Sequence, residues 1–132
     1  MNSEHDKAIY AIKSQIEKHD RSFDVCINVG SDKSCEYNGH YPDVVLTVKS
    51  ENFVGIVMEV EDETTIDSES ALNIWKSYNT DSMTLYIVVP AKEVTKMQDI
   101  LQENQIDAFI GYWIESDGAF EIYLWAFFFH FH

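Results

Sequence analysis

Positive charge is what this sequence has least of. Nine Lys and Arg face 23 Asp and Glu in 132 residues, a formal net charge of −14 at pH 7. Affinity for nucleic acid comes from Lys and Arg displacing counterions from phosphates. A chain this acidic does not hold DNA or RNA with its whole surface. A local site where a cation lies between protein and phosphate stays open to it. Cysteine is scarce, with two residues. That is too few for a disulfide-stapled secreted scaffold, so reduced thiols in a cytoplasmic protein are expected. A bridge between Cys26 and Cys35 is the one pairing available. Long apolar runs are missing too. The longest, Ile122 to Phe129, is far shorter than the ~18 residues of a membrane-spanning helix, and no membrane partner is expected. Met1-Asn2-Ser3-Glu4-His5-Asp6 has no basic start and no apolar stretch, so no secretory leader is expected. Two prolines and five glycines leave no linker, repeat or low-complexity tract. One domain over residues 1–132 follows.

Core-forming residues are plentiful. Hydrophobic residues make up 45% and aromatics 14%, more than a disordered chain carries. Ile9, Ile12 and Ile16 recur at helical spacing, and Ser3 can cap the helix they define over residues 2–20. Phe23, Val25, Ile27 and Val29 alternate with polar residues, as in a half-buried strand. After a polar loop over 30–39, strands are expected over 41–48 and 53–60, joined by a tight turn at 49–52. The second of these is almost wholly apolar, as in a strand buried on both faces. Asp67 or Ser68 can cap a helix to about Tyr78. A strand over 84–89 ends at Pro90, which suits the first turn of a helix reaching about Asn104. Strands over 108–114 and 120–126 close the chain around the turn Ser116-Asp117-Gly118. The order α-β-β-β-α-β-α-β-β predicts an α/β fold. Short turns imply an antiparallel first meander, and the helical crossover implies a parallel pair. A mixed central sheet flanked by helices results.

Asp43 stands at the start of the second strand; Glu59 and Glu61 stand at the end of the third. Residues i and i+2 of a strand share a side, so the two glutamates converge. If the two strands pair through the turn at 49–52, Asp43 meets both. Three carboxylates among apolar strands are costly unless a positive group offsets them. A hard divalent cation with oxygen ligands fits best. Solvated strand-end residues are the alternative for this trio.

The segments Tyr41-Pro42-Asp43-Val44-Val45 and Val57-Met58-Glu59-Val60-Glu61 resemble the PD-(D/E)XK nuclease superfamily, which has the restriction-endonuclease-like fold. The family core is αβββαβ with an antiparallel first hairpin, the order read above. The resemblance covers about residues 2–89, leaving 90–132 as a C-terminal extension. It implies a nuclease that hydrolyses nucleic-acid phosphodiester bonds with Mg²⁺ or Mn²⁺. Asp43 and Glu59 would be metal ligands, aided by the backbone carbonyl of Val60. Glu61 stands where the family has lysine, a departure that a minority of restriction endonucleases share. Glutamate supplies no positive charge, but it can ligate a second metal or act as a general base. Lys76 is a candidate substitute cation, and Glu17 is the candidate for an acid contributed by the first helix. His40, three residues before Asp43, is a candidate contact to metal or phosphate. Lys33, Lys49 and Lys76 are the bases expected to flank the site.

Other features have plainer readings. The run from Glu61 to Glu69 suits the dipole of the following helix, and it lacks the glycine and ligand spacing of a calcium loop. Trp75, Trp113 and Trp125 read as core, and His130 and His132 read as a frayed end. Phe127, Phe128, Phe129 and Phe131 should pack on the first helix or bury in a homodimer. Such a nuclease would hold nucleic acid weakly without a partner that supplies positive surface. A second function fits the same composition: a catalytically inactive relative of the fold, serving as an acidic protein-binding or assembly module.

Overall fold

The isoleucine stripe near the N-terminus does build a helix. In the computed structural model, which describes residues 3–124, helix α1 runs over Glu4–His19 with Ala8, Ile9, Ile12 and Ile16 buried. The Ser3 side chain caps it by accepting the N–H of Asp6 at 3.1 Å. Strand β1, Phe23–Ile27, follows. A long loop leads to β2, Val44–Val48, and a tight turn leads to β3, Phe53–Val60. Helix α2, Glu69–Ser77, links β3 to β4, Thr84–Pro90. One 3₁₀ turn, Ala91–Glu93, precedes α3, Val94–Glu103. Strands β5, Phe109–Ser116, and β6, Ala119–Tyr123, complete the described chain.

All six strands form one mixed sheet in the order β1-β2-β3-β4-β5-β6. The first three are antiparallel, β3, β4 and β5 are parallel, and β6 turns back antiparallel. The sheet has an apolar layer on each face. Val44, Leu46, Met58, Val60, Tyr86 and Val88 pack with α1, while Val57, Leu85, Ile87 and Val89 pack with Trp75 of α2 and Met97 of α3. Both faces of β4 are covered, which is why the strand is apolar and buried beyond Thr84, its first residue. Trp113 of β5 and Ile122 of β6 join the α1 layer, so the C-terminal strands are built into the same core.

Three local features deserve their physical reason. The β2–β3 register shifts between Leu46 and Thr47, leaving Gly55 as the extra residue. A Cβ there would stand 3.0 Å from a methyl of Val48, so the bulge takes glycine. Asp117 and Gly118, at φ 52° and 80°, form the β5–β6 turn, a geometry whose twist suits a hairpin. Ser68 caps α2 by accepting the N–H of Ala71 at 3.2 Å. Ser68→Ala should cost about 1 kcal/mol, read as a lower urea midpoint with an unchanged slope.

Several expectations are corrected. The thiols are not free: Cys26 of β1 and Cys35 of the following loop form a disulfide. Pro90 closes β4 instead of opening a helix, and α3 begins at Val94, because the chain spends one 3₁₀ turn leaving the sheet. The second strand begins at Val44, since Tyr41 and Pro42 lie outside the ladder. Among the described residues no helix is long and apolar enough to cross a membrane. Trp125, the four C-terminal phenylalanines, His130 and His132 lie outside the described residues.

Candidate functional site

The β2–β3 register pairs Val44 with Met58. One residue further out, Asp43 comes beside Glu59. Strand alternation puts Glu59 on the side of Val57, facing the α2 and α3 layer. There its Oε2 accepts the hydroxyl of Tyr78 at 2.5 Å. Tyr78 is the C-cap of α2, so the end of that helix holds the glutamate. Glu59 and Glu61 are only 9% and 8% exposed. Burial of this depth is rare for carboxylates without a compensating group.

Asp43 is held from two directions. Its Oδ2 accepts the backbone N–H of Val60 at 2.7 Å and lies 3.3 Å from Nε2 of His5 on α1. The other ring nitrogen of His5 is 3.4 Å from Asp6. The sheet end is thus walled by α1 on one side and by the end of α2 on the other.

The electrostatics follow from this crowding. Burial, reinforced by the charge of Asp43, pushes the Glu59 carboxyl up to about 8 against the opposing bond from Tyr78. Burial lifts Glu61 to about 7; the Thr65 hydroxyl opposes the shift, and Asp43 adds to it. The hydrogen bond to Asp43 lifts His5 to about 9 although its burial pulls the other way. His5 is therefore an imidazolium at neutral pH. Burial, and then the charge of Glu59, raises the Tyr78 phenol, which stays a hydrogen-bond donor.

The loop between β1 and β2 is built around one buried amide. Asn28 is 5% exposed. Its Nδ2 donates to the carbonyls of Cys35 and Pro42 at 2.8 and 2.6 Å. Its Oδ1 accepts the N–H groups of Ser34 and Cys35 at 2.8 and 3.0 Å. The Asn28 backbone also donates to the carbonyl of Asp43. Asn28 and the disulfide together fix the approach to Asp43. Asn28→Ala strands several of these groups and should cost about 2 kcal/mol, measured by urea unfolding. Further along the loop, Tyr37 and His40 exchange backbone bonds, and both rings pack near Tyr78, at 6.0 and 5.7 Å between centroids.

The sequence-predicted residues fare differently. Asp43, Glu59 and Glu61 come together: Asp43 and Glu61 both push Glu59 up, and Asp43 pushes Glu61 up. Val60 contributes its N–H to Asp43. His40 reaches the rim, bonded to Ser77 at 3.1 Å and edge-on to Tyr78. Glu17 is not brought to the site. It pairs with Lys13 on the surface of α1, about 18 Å along the helix from His5. Lys49 sits in the turn at the opposite end of the β2–β3 hairpin, about 20 Å from Asp43. Lys76 is exposed on α2, about 100° round the helix from the buried Trp75.

Sequence reasoning missed His5, Asn28 and the role of Tyr78. His5 carried a signal: it extends the stripe of Ile9, Ile12 and Ile16 by one turn toward the N-terminus. A histidine on an apolar helix face needs a partner in the core. Tyr78 lies three residues beyond Trp75 on α2, where a buried phenol also needs a partner.

Among the described residues no group of three His, Cys, Asp or Glu side chains is gathered as a metal-holding cluster. The donor chemistry of the trio fits a hard divalent cation all the same. Its atoms are carboxylate oxygens, and burial raises Glu59 and Glu61, so their charged forms lack a full compensating partner in the protein. Comparison with protein-family models, with curated proteins and with solved structures finds no match for the chain.

Proposed function

We propose that the chain is a Mg²⁺- or Mn²⁺-dependent nuclease of the PD-(D/E)XK kind, with Glu61 in place of the motif lysine. The observation that carries this reading is the trio of half-buried Asp43 and buried Glu59 and Glu61 at one end of the β2–β3 hairpin. The element order αβββαβ over its first part, with an antiparallel first hairpin, supports it.

Asp43 and Glu59, with Glu61, would hold the cation. A bound divalent cation would supply Lewis acidity toward a phosphoryl oxygen and a water of lowered pKa. The protein's own groups have distinct tasks. The Val60 N–H and His5 fix the Asp43 carboxylate, and Tyr78 fixes that of Glu59. Where Glu61 does not ligate, its carboxylate can instead take a proton as a general base. His5 brings positive charge to a site that lacks the lysine. It comes from α1 rather than from β3.

The test is cleavage of DNA and RNA in Mg²⁺ or Mn²⁺, with chelator as control. Cleavage that needs the metal supports the reading. Cleavage in chelator, or none with either metal, contradicts it. The last outcome belongs to the inactive acidic module, which the His5–Asp43 contact also suits, because an imidazolium already offsets one of the acids.

A further inference from the structure

The nuclease reading leaves open what form of nucleic acid reaches the acids. We propose that Tyr41 and Lys33 form a stacking site for an unpaired base, so that the substrate is single-stranded nucleic acid. The inference rests on the reading above and names its substrate class.

Tyr41 is 43% exposed, although Pro42 beside it is buried. The Nζ of Lys33 lies 5.3 Å from its ring centroid. Tyr41 stands two residues before Asp43, so its backbone is within about 7 Å of that acid's. The platform is rigid, because Asn28 bonds the carbonyl of Pro42 and the backbone on both sides of Cys35. An exposed aromatic ring on a fixed loop, one step from the acids, is placed to receive a base while the adjoining phosphate reaches the site. A weak, exposed cation–π contact holds Lys33 over the ring. It can turn to a phosphate when a base takes the ring.

The charge distribution selects the single strand. A duplex keeps its bases stacked inside and offers a protein mainly phosphates, which need a basic face. This chain has few bases to offer. Lys13, Lys92 and Lys96 are paired with Glu17, Glu63 and Asp67, and Lys49 lies at the far end of the hairpin. Affinity must then come from stacking, which every unpaired base permits and which tolerates any sequence.

The probes are a labelled oligothymidylate and a labelled mixed-sequence duplex at low salt. Binding is read by anisotropy, and Mn²⁺-dependent cleavage is read on gels. The single strand should bind and be cut at least about tenfold better than the duplex. Tyr41→Ala should lower both for the single strand by about tenfold, while Tyr41→Trp retains them. Lys33→Ala should weaken binding a few-fold and flatten its salt dependence. A duplex cut as well as the single strand would overturn the inference and leave the nuclease reading standing. So would a folded Tyr41→Ala protein with wild-type binding and cleavage. No binding and no cleavage of either probe would overturn both.

Discussion

Asp43→Asn is expected to lower metal-dependent cleavage by about 10³-fold while leaving the protein folded. The magnitude follows from what the carboxylate would do. Loss of a charged ligand to a catalytic cation removes several kcal/mol of transition-state stabilisation, and about 4 kcal/mol corresponds to three powers of ten in rate. Asparagine keeps a carbonyl oxygen for the Val60 N–H, which donates to Asp43 at 2.7 Å. It removes one of the charges that drive Glu59 and Glu61 upward. It also removes the partner that lifts His5, so the two effects oppose and the variant should unfold within about 5 °C of wild type. Gel assays on the cleaved substrate, with thermal unfolding alongside, check both halves. Residual cleavage within tenfold of wild type would remove Asp43 from the chemistry.

Without metal, stability is expected to fall as pH rises from about 5 to 9. Three groups set the sign. Glu59 and Glu61 move from 4.5 to about 8 and about 7, and His5 moves from 6.5 to about 9. In each case the folded value lies above the unfolded one, so the folded state binds more protons in between. Each group's contribution is complete below its unfolded value and is lost as pH passes its folded value. Each mismatched group carries about 1.4 kcal/mol per pH unit. In chelator, Tm should therefore drop by at least about 5 °C between pH 6 and 9. Mn²⁺ binds the deprotonated carboxylates, so its stabilising effect should grow with pH and flatten the fall. The overall charge of −14 pushes in the same direction as the site. Glu59→Gln separates the two, since it keeps an acceptor for Tyr78 but does not titrate. It should flatten the chelator profile. An unchanged slope in that variant would assign the fall to general repulsion.

The parts of the fold visible in the sequence were those encoded by local period. The stripe of Ile9, Ile12 and Ile16 marked α1, and the apolar run of β3 matched its bounds, Phe53–Val60. The tight turn between β2 and β3 was visible as well, and it set the pairing that brings Asp43 beside Glu59. What stayed hidden depends on where distant segments dock. Nothing in local spacing says that the first turn of α1 meets the start of β2, so His5 was not linked to Asp43. The disulfide depends on the loop folding back around Asn28, whose side-chain bonds reach residues up to fourteen positions away. Glu17 was an expectation by analogy, as an acid from the first helix. Its position near the helix C-terminus, paired with Lys13, puts it too far along the axis. The start of α3 was misplaced because proline suits both a strand end and a first helical turn.

Calorimetric titration of the folded protein with Mn²⁺ at pH 8, beside Asp43→Asn, addresses the acid trio most directly. Saturable binding with release of protons, lost in the variant, is the expected result, because Glu59, pushed up to about 8, must give up its remaining proton to ligate. Absence of saturable binding, or equal binding by Asp43→Asn, would contradict a cation site at Asp43, Glu59 and Glu61.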